Sequence, residues 1–219
     1  MNPIRKAWDA TWDFRKRLGL TRKRPIPLLK SDLTPAELAV LCESFDLLRP
    51  TTYLEVGVFW GGSFKRVLEH RDAAGLKTRC IGLDLWDEVR DRQANTHVSG
   101  RPNRRKVEEA LRAAGLGGFE LLAGNCSDLD RLFTEPVEVA FHDANHTYRA
   151  VLDDATAIGS RLVPGGRLLV HNAGRDLMPD KLYVEQDGGP NRAVNELAQS
   201  GAWELLEIRD RMAVLRKTG

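Results

Sequence analysis

The segment that says most about the chemistry of this chain is residues 53–63, YLEVGVFWGGS, a short apolar run that turns through glycines. Such a strand–turn–helix can wrap a ligand against bare backbone N–H groups. A dinucleotide fingerprint would need glycine at the position of Phe59, where the backbone touches the pyrophosphate. The pattern that remains, Glu55 with Gly57 and Gly61, suits a bulkier ligand without phosphate whose ammonium group can reach the acid.

A second carboxylate follows about one βαβ step later. Residues 79–84 form a predicted buried strand that ends at Asp84. A carboxylate at the tip of the second strand can accept both ribose hydroxyls of an adenosine cofactor. One such acid often only caps the next helix, but Glu55 and Asp84 stand on consecutive strands with a glycine turn between them. Together they predict S-adenosylmethionine as the ligand.

Polar side chains follow the fourth and fifth predicted strands of the sheet. They lie in residues 141–148, FHDANHTY, and in residues 168–172, LLVHN. Because parallel strands end at one edge of a sheet, these groups can meet around a point and hold a divalent cation. The alternative is that they only satisfy backbone groups and cap a helix. For the cluster as a whole we expect a functional role. Its members are Asp143, His146, His171 and Asn172.

The elements that position these groups alternate along the chain. A helix with Thr34 as N-cap, proline in its first turn and Glu37 at its third position is predicted to run to about Leu48. Strands and helices then follow each other, with a turn at residues 164–166 before a fifth strand at 167–170. Such repeats predict an α/β fold, a mostly parallel, doubly wound sheet with a terminal antiparallel hairpin.

Right-handed crossovers in such a sheet place the ligand beyond the carboxyl ends of the strands. Two long connections leave that edge, residues 85–103 and 172–190. Connections of this length are usually functional or disordered. We expect them to cover the site and to set the specificity for the acceptor.

Length and composition fit a globular protein. The 219 residues suit one α/β domain, with 42% hydrophobic and 29% charged residues. No apolar run approaches the ~18 residues of a membrane span, and the N-terminus lacks the apolar region of a signal peptide. Three widely spaced cysteines predict free thiols in a reducing compartment, so the expected location is the cytoplasm.

Residues 1–30 form a basic arm, with nine lysines and arginines against two aspartates. A basic arm can bind nucleic acid or an anionic surface. Its apolar residues nevertheless recur near helical spacing, which favours an amphipathic helix that packs on the body or on a second subunit. We therefore separate a helical arm and linker, residues 1–30, from a ligand-binding domain, residues 31–219, and expect a homo-oligomer formed through the arm. The apolar residues are Ile4, Trp8, Trp12 and Leu18.

Four motifs give the chain a resemblance to a known family. They are residues 55–63, 82–84, 141–148 and 164–166. They resemble class I S-adenosylmethionine-dependent methyltransferases, and within that class the macrocin O-methyltransferase and cephalosporin-hydroxylase-like proteins of natural-product pathways. The resemblance covers roughly residues 50–216 and leaves the basic arm unexplained. It implies a Rossmann-like, seven-stranded sheet with a reversed last hairpin, and makes residues 31–219 the methyltransferase domain.

The resemblance also implies which residues contact the cofactor. The glycine turn surrounds the methionine moiety, Asp84 binds the ribose, and residues 124–127 lie beside the adenine. The predicted cofactor-binding residues are Glu55, Gly57, Gly61, Gly62, Ser63, Asp84, Leu85, Asn125, Cys126 and Asp143.

Catechol-type O-methyltransferases, which are similar in layout, bind magnesium through an aspartate after the fourth strand and an Asp-Asn pair after the fifth. Asp143 and Asn172 match that pattern, whereas His171 replaces the second acid. The predicted metal residues are therefore Asp143, His171 and Asn172, for magnesium, for a softer ion such as manganese, or for none.

Methyl transfer from a sulfonium requires that an acceptor be aligned with the methyl group and lose its proton. Histidine titrates near neutral pH, so we assign His146 as the base and Asp143 as the second catalytic residue. The predicted reaction is methylation of a hydroxyl, or less readily an amino group, of a small molecule such as a natural product or sugar.

Two alternatives stay open. A nucleic-acid methyltransferase would use the basic arm, but residues 143–146 lack the Asp/Asn-Pro-Pro-aromatic motif of the enzymes that methylate amino groups of bases. A non-catalytic partner would keep the cofactor fold without turnover. Steep salt dependence of substrate binding would support the first alternative, and tight cofactor binding without activity would support the second.

Overall fold

The structure, a computed structural model, describes residues 28–86, 103–174 and 188–219. The predicted arm helix and most of the two long connections lie outside the described residues. Nothing in the structure therefore tests the role expected for the arm or for the loops.

Seven strands form a single sheet. In chain order they are β1 Thr52–Val56, β2 Arg79–Asp84, β3 Phe119–Ala123, β4 Val137–His142, β5 Leu162–Val170, β6 Trp203–Arg209 and β7 Met212–Lys217. Their spatial order is β3-β2-β1-β4-β5-β7-β6. Strands β1 to β5 pair in parallel, and β7 pairs antiparallel with both β5 and β6. The predicted Rossmann-like, seven-stranded, mostly parallel sheet with an antiparallel hairpin is confirmed.

The described helices cover both faces of this sheet. They are α1 Pro35–Leu48, α2 Gly62–Ala73, α3 Arg104–Ala113, α4 Leu129–Leu132, α5 Tyr148–Arg161 and α6 Gly189–Gln199, with a 3₁₀ turn at Cys126–Asp128 before α4. Helix α1 begins as predicted, because the Thr34 side chain accepts from the backbone N–H of Glu37 and the Glu37 carboxylate accepts from that of Thr34. None of the described helices is long and apolar enough to cross a membrane.

The apolar side chains form two layers, one on each face of the sheet. One layer packs α1, α2 and α3 through residues such as Phe45, Phe64 and Leu111, all buried. The other packs α5 and α6 through residues such as Ile158 and Val194. Burial of this apolar surface on both faces is the main stabilising contribution and fixes the strand tips relative to each other.

The strand order reverses between β1 and β4, so a crevice opens beyond their carboxyl ends. The turn after β1 is held on both sides. The Gly57 N–H donates to the Leu83 carbonyl at 2.9 Å, and the Asp143 N–H donates to the Val56 carbonyl at 2.8 Å. The backbone therefore holds the tips of β1, β2 and β4 together.

The fifth strand differs from the prediction. The sequence predicts a turn at residues 164–166, whereas β5 begins at Leu162 and runs through these residues. Val137 pairs with Leu162 and Val139 with Arg167, so the register shifts between the two pairs. The Pro-Gly-Gly sequence forms an irregularity within the strand instead of ending it, as glycine in strands often does.

Candidate active site

The turn after β1 needs glycine because of its backbone and its neighbours. Gly57 has φ of 91°, in the left-handed region that side chains disfavour. A Cβ at Gly57 would lie 2.3 Å from the backbone oxygen of Asp143. Only glycine therefore lets the turn after β1 pack against the segment that follows β4, and this contact joins the predicted cofactor site to the predicted catalytic residues.

Position 62 needs glycine because the backbone of the segment before α1 packs directly against it, a contact that the sequence does not reveal. A Cβ there would lie 2.2 Å from the backbone oxygen of Lys30, and the Leu29 N–H donates to the Trp60 carbonyl at 2.9 Å. The chain segment before α1 thus lies on the first residue of α2. The sequence pattern assigned Gly62 to cofactor contact, but the space left by its missing side chain is filled by protein backbone.

Glu55 is fully buried beneath this turn. Its carboxylate accepts hydrogen bonds from the Tyr53 hydroxyl at 2.7 Å and the Ser63 hydroxyl at 2.5 Å. Burial raises the pKa of Glu55 to about 8, with Asp143 and Asp84 adding to the rise and the two hydrogen bonds opposing it. Glu55 therefore carries a proton at neutral pH in the free protein.

Asp84 lies at the tip of β2, followed by Leu85. It accepts from the backbone N–H of Phe59 at 2.7 Å and of Trp86 at 3.3 Å. Burial raises the pKa of Asp84, although these backbone hydrogen bonds oppose the rise. The backbone N–H groups of Leu85 and Val58 also act on this carboxylate and lower its pKa, so backbone donors surround the acid at the tip of β2. The Trp86 indole, fully buried, donates to the Leu122 carbonyl at 2.7 Å and supports this edge.

The loop after β3 contains residues 124–127, which are predicted to lie beside the adenine. The Asn125 N–H donates to the Asp128 carboxylate at 3.0 Å and opens the short 3₁₀ turn. Cys126 is buried there, and burial raises the pKa of its thiol, with Asp154 adding to the rise. A thiol in this setting stays protonated and serves packing rather than chemistry.

Asp143, the predicted base His146 and the predicted metal ligand His171 meet beyond β4 and β5. Asp143 Oδ1 lies 2.9 Å from His171 Nδ1 and 3.1 Å from His146 Nε2. Burial alone would raise the pKa of Asp143, but the hydrogen bonds and positive charge of the two histidines lower it well below its usual range. The carboxylate is therefore ionised and orients both rings.

His142 does not belong to this cluster. It is buried on the opposite face of β4, and its Nε2 lies 2.8 Å from Asp154 Oδ2. Its ring is held by α5, away from Asp143. We therefore do not consider it a candidate base.

Asn172 faces the cluster with its amide nitrogen. Its backbone is left-handed, with φ of 56°. The Arg211 Nη1 group donates to Asn172 Oδ1 at 3.4 Å, which leaves Asn172 Nδ2 at 3.4 Å from His146 Nε2. The oxygen that a metal would need is thus directed at a guanidinium group.

Two charged residues that the sequence analysis did not assign to the site complete it. Glu37 in α1 is fully buried and accepts from Arg211 Nε at 2.9 Å and Arg211 Nη2 at 3.0 Å. Glu37 Oε1 also lies 3.4 Å from His171 Nε2. Burial opposes protonation of His171, but the hydrogen bond to Asp143 and the charges of Asp143 and Glu37 raise its pKa. The capping pattern was the only sequence signal at Glu37.

The magnesium site that the resemblance implies does not fit these residues. Magnesium prefers an octahedron of oxygen ligands, whereas the cluster offers one carboxylate and two imidazoles. Asn172 stays a predicted ligand, although its amide oxygen already accepts a hydrogen bond from Arg211 in this arrangement. Donor atoms of Asp143, His146 and His171 lie within 4.8 Å of one another, close enough for a softer ion that would displace both hydrogen bonds.

Comparison with known proteins agrees with the fold. A family model described as a methyltransferase domain matches residues 54–173, more than half of the chain. A search of curated proteins finds no match. Among solved structures, cofactor-bound Rv0187 from MTB is similar at 16% identity and a TM-score of 0.66, covering 99% of this chain and 98% of that one.

Two O-methyltransferases are also similar in structure. The enzyme from Streptomyces achromogenes involved in tomaymycin synthesis, solved with SAM, has 18% identity and a TM-score of 0.61, covering 94% of this chain and 96% of that one. The enzyme from Bacillus cereus, solved with SAH, has 15% identity and a TM-score of 0.62, covering 93% and 90%. Similarity at these identities establishes a shared fold.

Proposed function

The chain belongs to a family of methyltransferase domains, and we propose that it transfers a methyl group from S-adenosylmethionine to a hydroxyl group of a small molecule. The observation that carries the proposal is the contact between Gly57 and Asp143, where a Cβ would lie 2.3 Å from the backbone oxygen. A cofactor that lies on the glycine turn has its reactive end next to the Asp143–His146 pair.

The choice of donor is supported by the strand tips. Glu55 lies near the end of β1, Asp84 ends β2 and Asn125 follows β3, so the three residues stand at the carboxyl ends of adjacent strands, in the positions proposed for the methionine, ribose and adenine parts. Two structures with the same fold were solved with SAM or SAH. We retain as proposed cofactor contacts the glycine turn with Ser63, and the predicted residues Leu85, Cys126 and Asp143.

The proposed mechanism uses an in-line displacement at the methyl carbon. The acceptor oxygen forms a bond to that carbon as the carbon–sulfur bond breaks, and the sulfur leaves with the electron pair as S-adenosylhomocysteine. Ionised Asp143 accepts the Nε2–H of His146, which leaves Nδ1 of the same ring to take the hydroxyl proton. About a quarter of the His146 side chain is exposed, so an acceptor can reach it.

We further propose a natural-product or sugar acceptor, as in the macrocin and cephalosporin-hydroxylase-like subgroup. The similar fold of an enzyme involved in tomaymycin synthesis supports this class of acceptor. The division at residue 30, and an oligomer formed through the arm, belong to the same proposal. They rest on the amphipathic spacing of the arm.

The test combines binding with turnover. Full-length protein is titrated calorimetrically with S-adenosylmethionine, S-adenosylhomocysteine and NAD. It is then incubated with methyl-labelled donor and a panel of catechols, glycosylated natural products and total RNA. We expect S-adenosylmethionine and S-adenosylhomocysteine to bind, and the labelled methyl group to enter a hydroxylated small molecule.

Binding of NAD alone contradicts the proposal. Labelled RNA alone favours the nucleic-acid alternative, and tight binding without labelling favours the non-catalytic one.

The variants Asp84→Ala and Asp84→Asn locate the cofactor. Removing the carboxylate should cost about 1–3 kcal/mol of affinity for S-adenosylmethionine, since ribose hydroxyls lose a charged acceptor. Asp84→Asn keeps an oxygen for the Phe59 N–H and should lose less. Unchanged affinity in both variants would exclude Asp84 from the cofactor site.

A further inference from the structure

We propose that Glu37 is a positioning residue of the reaction centre, which it holds through His171 and Arg211. Glu37 lies in α1, outside residues 54–173 that the family model matches. The inference rests on the proposed function, because it assigns Glu37 a role in the same reaction. It goes beyond that function by adding to the site a helix that precedes the matched segment.

Burial is the first observation that sets Glu37 apart from an ordinary capping residue. A capping glutamate needs one hydrogen bond, to the N-cap backbone, and can make it on the surface. Glu37 makes that bond to the Thr34 N–H at 2.8 Å, yet it is completely buried. A buried carboxylate is costly unless it is paired and hydrogen-bonded, and Arg211 supplies the pairing through two nitrogens.

The first connection to the reaction centre runs through His171. Its Nδ1 lies 2.9 Å from Asp143 Oδ1, and its Nε2 lies 3.4 Å from Glu37 Oε1. Among the residues that the structure describes, this buried Nε2 makes no hydrogen bond, and it pairs with the Glu37 carboxylate through charge. Glu37, His171, Asp143 and His146 thus form a continuous series from α1 to the proposed base.

The second connection runs through the hairpin between β6 and β7. Arg211, held by Glu37, donates to Asn172 Oδ1 at 3.4 Å and so fixes which way the amide faces. The amide nitrogen then lies 3.4 Å from His146 Nε2. Because His146 Nε2–H donates to Asp143 Oδ1, the amide N–H does not donate to the same nitrogen, and Asn172 limits the position of the ring by contact alone.

The chain offers a matched control on the same helix. Glu43 also accepts from an arginine of the hairpin, Arg209 Nη1 at 2.8 Å, but its side chain is 53% exposed. Glu37→Gln and Glu43→Gln therefore each remove one charge from an α1–hairpin pair. Only the first removes it from beside His171. Glu37→Asp keeps the negative charge but shortens the side chain by one methylene, which moves the carboxylate away from His171. It serves as a second variant if Glu37→Gln does not fold.

The experiment is ¹⁵N spectroscopy of the five histidines in the full chain, saturated with S-adenosylhomocysteine and assigned by single His variants. We expect Glu37→Gln to shift the ring signals of both His171 and His146, with Glu37→Asp shifting them less and Glu43→Gln leaving them in place. Turnover on an acceptor from the panel should fall 10- to 100-fold in Glu37→Gln, with cofactor affinity within about twofold.

The outcomes separate this inference from the proposed function. The positioning role would be overturned if the His146 signals do not move in Glu37→Gln. It would also be overturned if this variant, measured below its own melting temperature, turns over as fast as the wild type. Equal shifts in Glu43→Gln would also overturn it, since the effect would then be general to the helix. If the wild-type chain methylates nothing, the proposed function fails, while the histidine spectra still decide whether Glu37 positions His146.

Discussion

Asp143 Oδ1 and His146 Nε2 lie 3.1 Å apart, in the segment that joins the end of β4 to the start of α5. The pairing depends on the low pKa of Asp143, which keeps the carboxylate ionised across the physiological range. An ionised carboxylate fixes the tautomer of the ring, so the nitrogen turned away from it is the one able to accept a proton. The proposed base is thereby held in one orientation next to the turn that the cofactor is proposed to occupy.

Replacing His146 by alanine should lower turnover about 10²–10⁴-fold, since the acceptor hydroxyl loses its proton acceptor. Cofactor affinity should stay nearly constant, because the glycine turn and Asp84 are untouched. Calorimetry and a labelled-methyl assay measure the two quantities. The control is His70→Ala, a histidine that pairs with Asp46 on the surface, and it should behave as wild type. Near-normal turnover in His146→Ala would remove the base assignment.

Removal of metal ions with EDTA should leave turnover within about twofold of its starting value. Both buried carboxylates already have partners, since Glu37 pairs with Arg211 and Asp143 pairs with His171, whose raised pKa favours its cationic form. A divalent ion would have to displace the two hydrogen bonds to Asp143. The measurement is turnover after dialysis against EDTA, then after adding Mn²⁺ or Mg²⁺. Activity that disappears and returns with the ion would show that the cluster binds metal.

Much of this site follows from local sequence. The glycine turn, Asp84 and the segment after β4 each sit at a strand tip, and a parallel sheet brings the tips of its strands together. The contribution of Glu37 has no such signal. Its partner Arg211 is 174 residues away, and the pairing exists only because α1 packs beside the terminal hairpin.

Two further features show where local pattern is insufficient. Gly62 fits a ligand-binding motif, yet the structure fills the space beside it with the backbone of Lys30. The Pro-Gly-Gly sequence at 164–166 fits a turn, yet β5 includes these residues and pairs with β4 on both sides of them. In both places a tertiary neighbour decides the outcome, and the neighbour lies outside the window that a motif covers.

The packing at Gly62 gives a stability prediction. Gly62→Ala should destabilise the fold by about 1–3 kcal/mol, because backbone atoms of Lys30 cannot rotate away as a side chain would. The matched control is Gly117→Ala, where a Cβ would have nothing within 4 Å. That variant should be neutral or slightly stabilising. Urea unfolding measures both, and equal stability of the two variants would contradict the packing of residues 29–31 on α2.

The pKa of Glu55 predicts how stability depends on pH. Its value is about 8 in the folded protein against 4.5 ordinarily, so between these values the folded state holds a proton that the unfolded state releases. The free energy of unfolding should therefore fall as pH rises through this window, by up to about 1.4 kcal/mol per pH unit from this group. Glu55→Gln cannot ionise and should lose that part of the slope. Urea unfolding at pH 5.5, 7 and 8.5 gives the difference between wild type and variant, which cancels the contributions of other groups. If the free energies of unfolding of the two proteins change with pH in parallel, Glu55 is ionised in the folded protein. If the free energy falls less steeply with pH in Glu55→Gln, Glu55 is a buried, protonated acid beneath the turn.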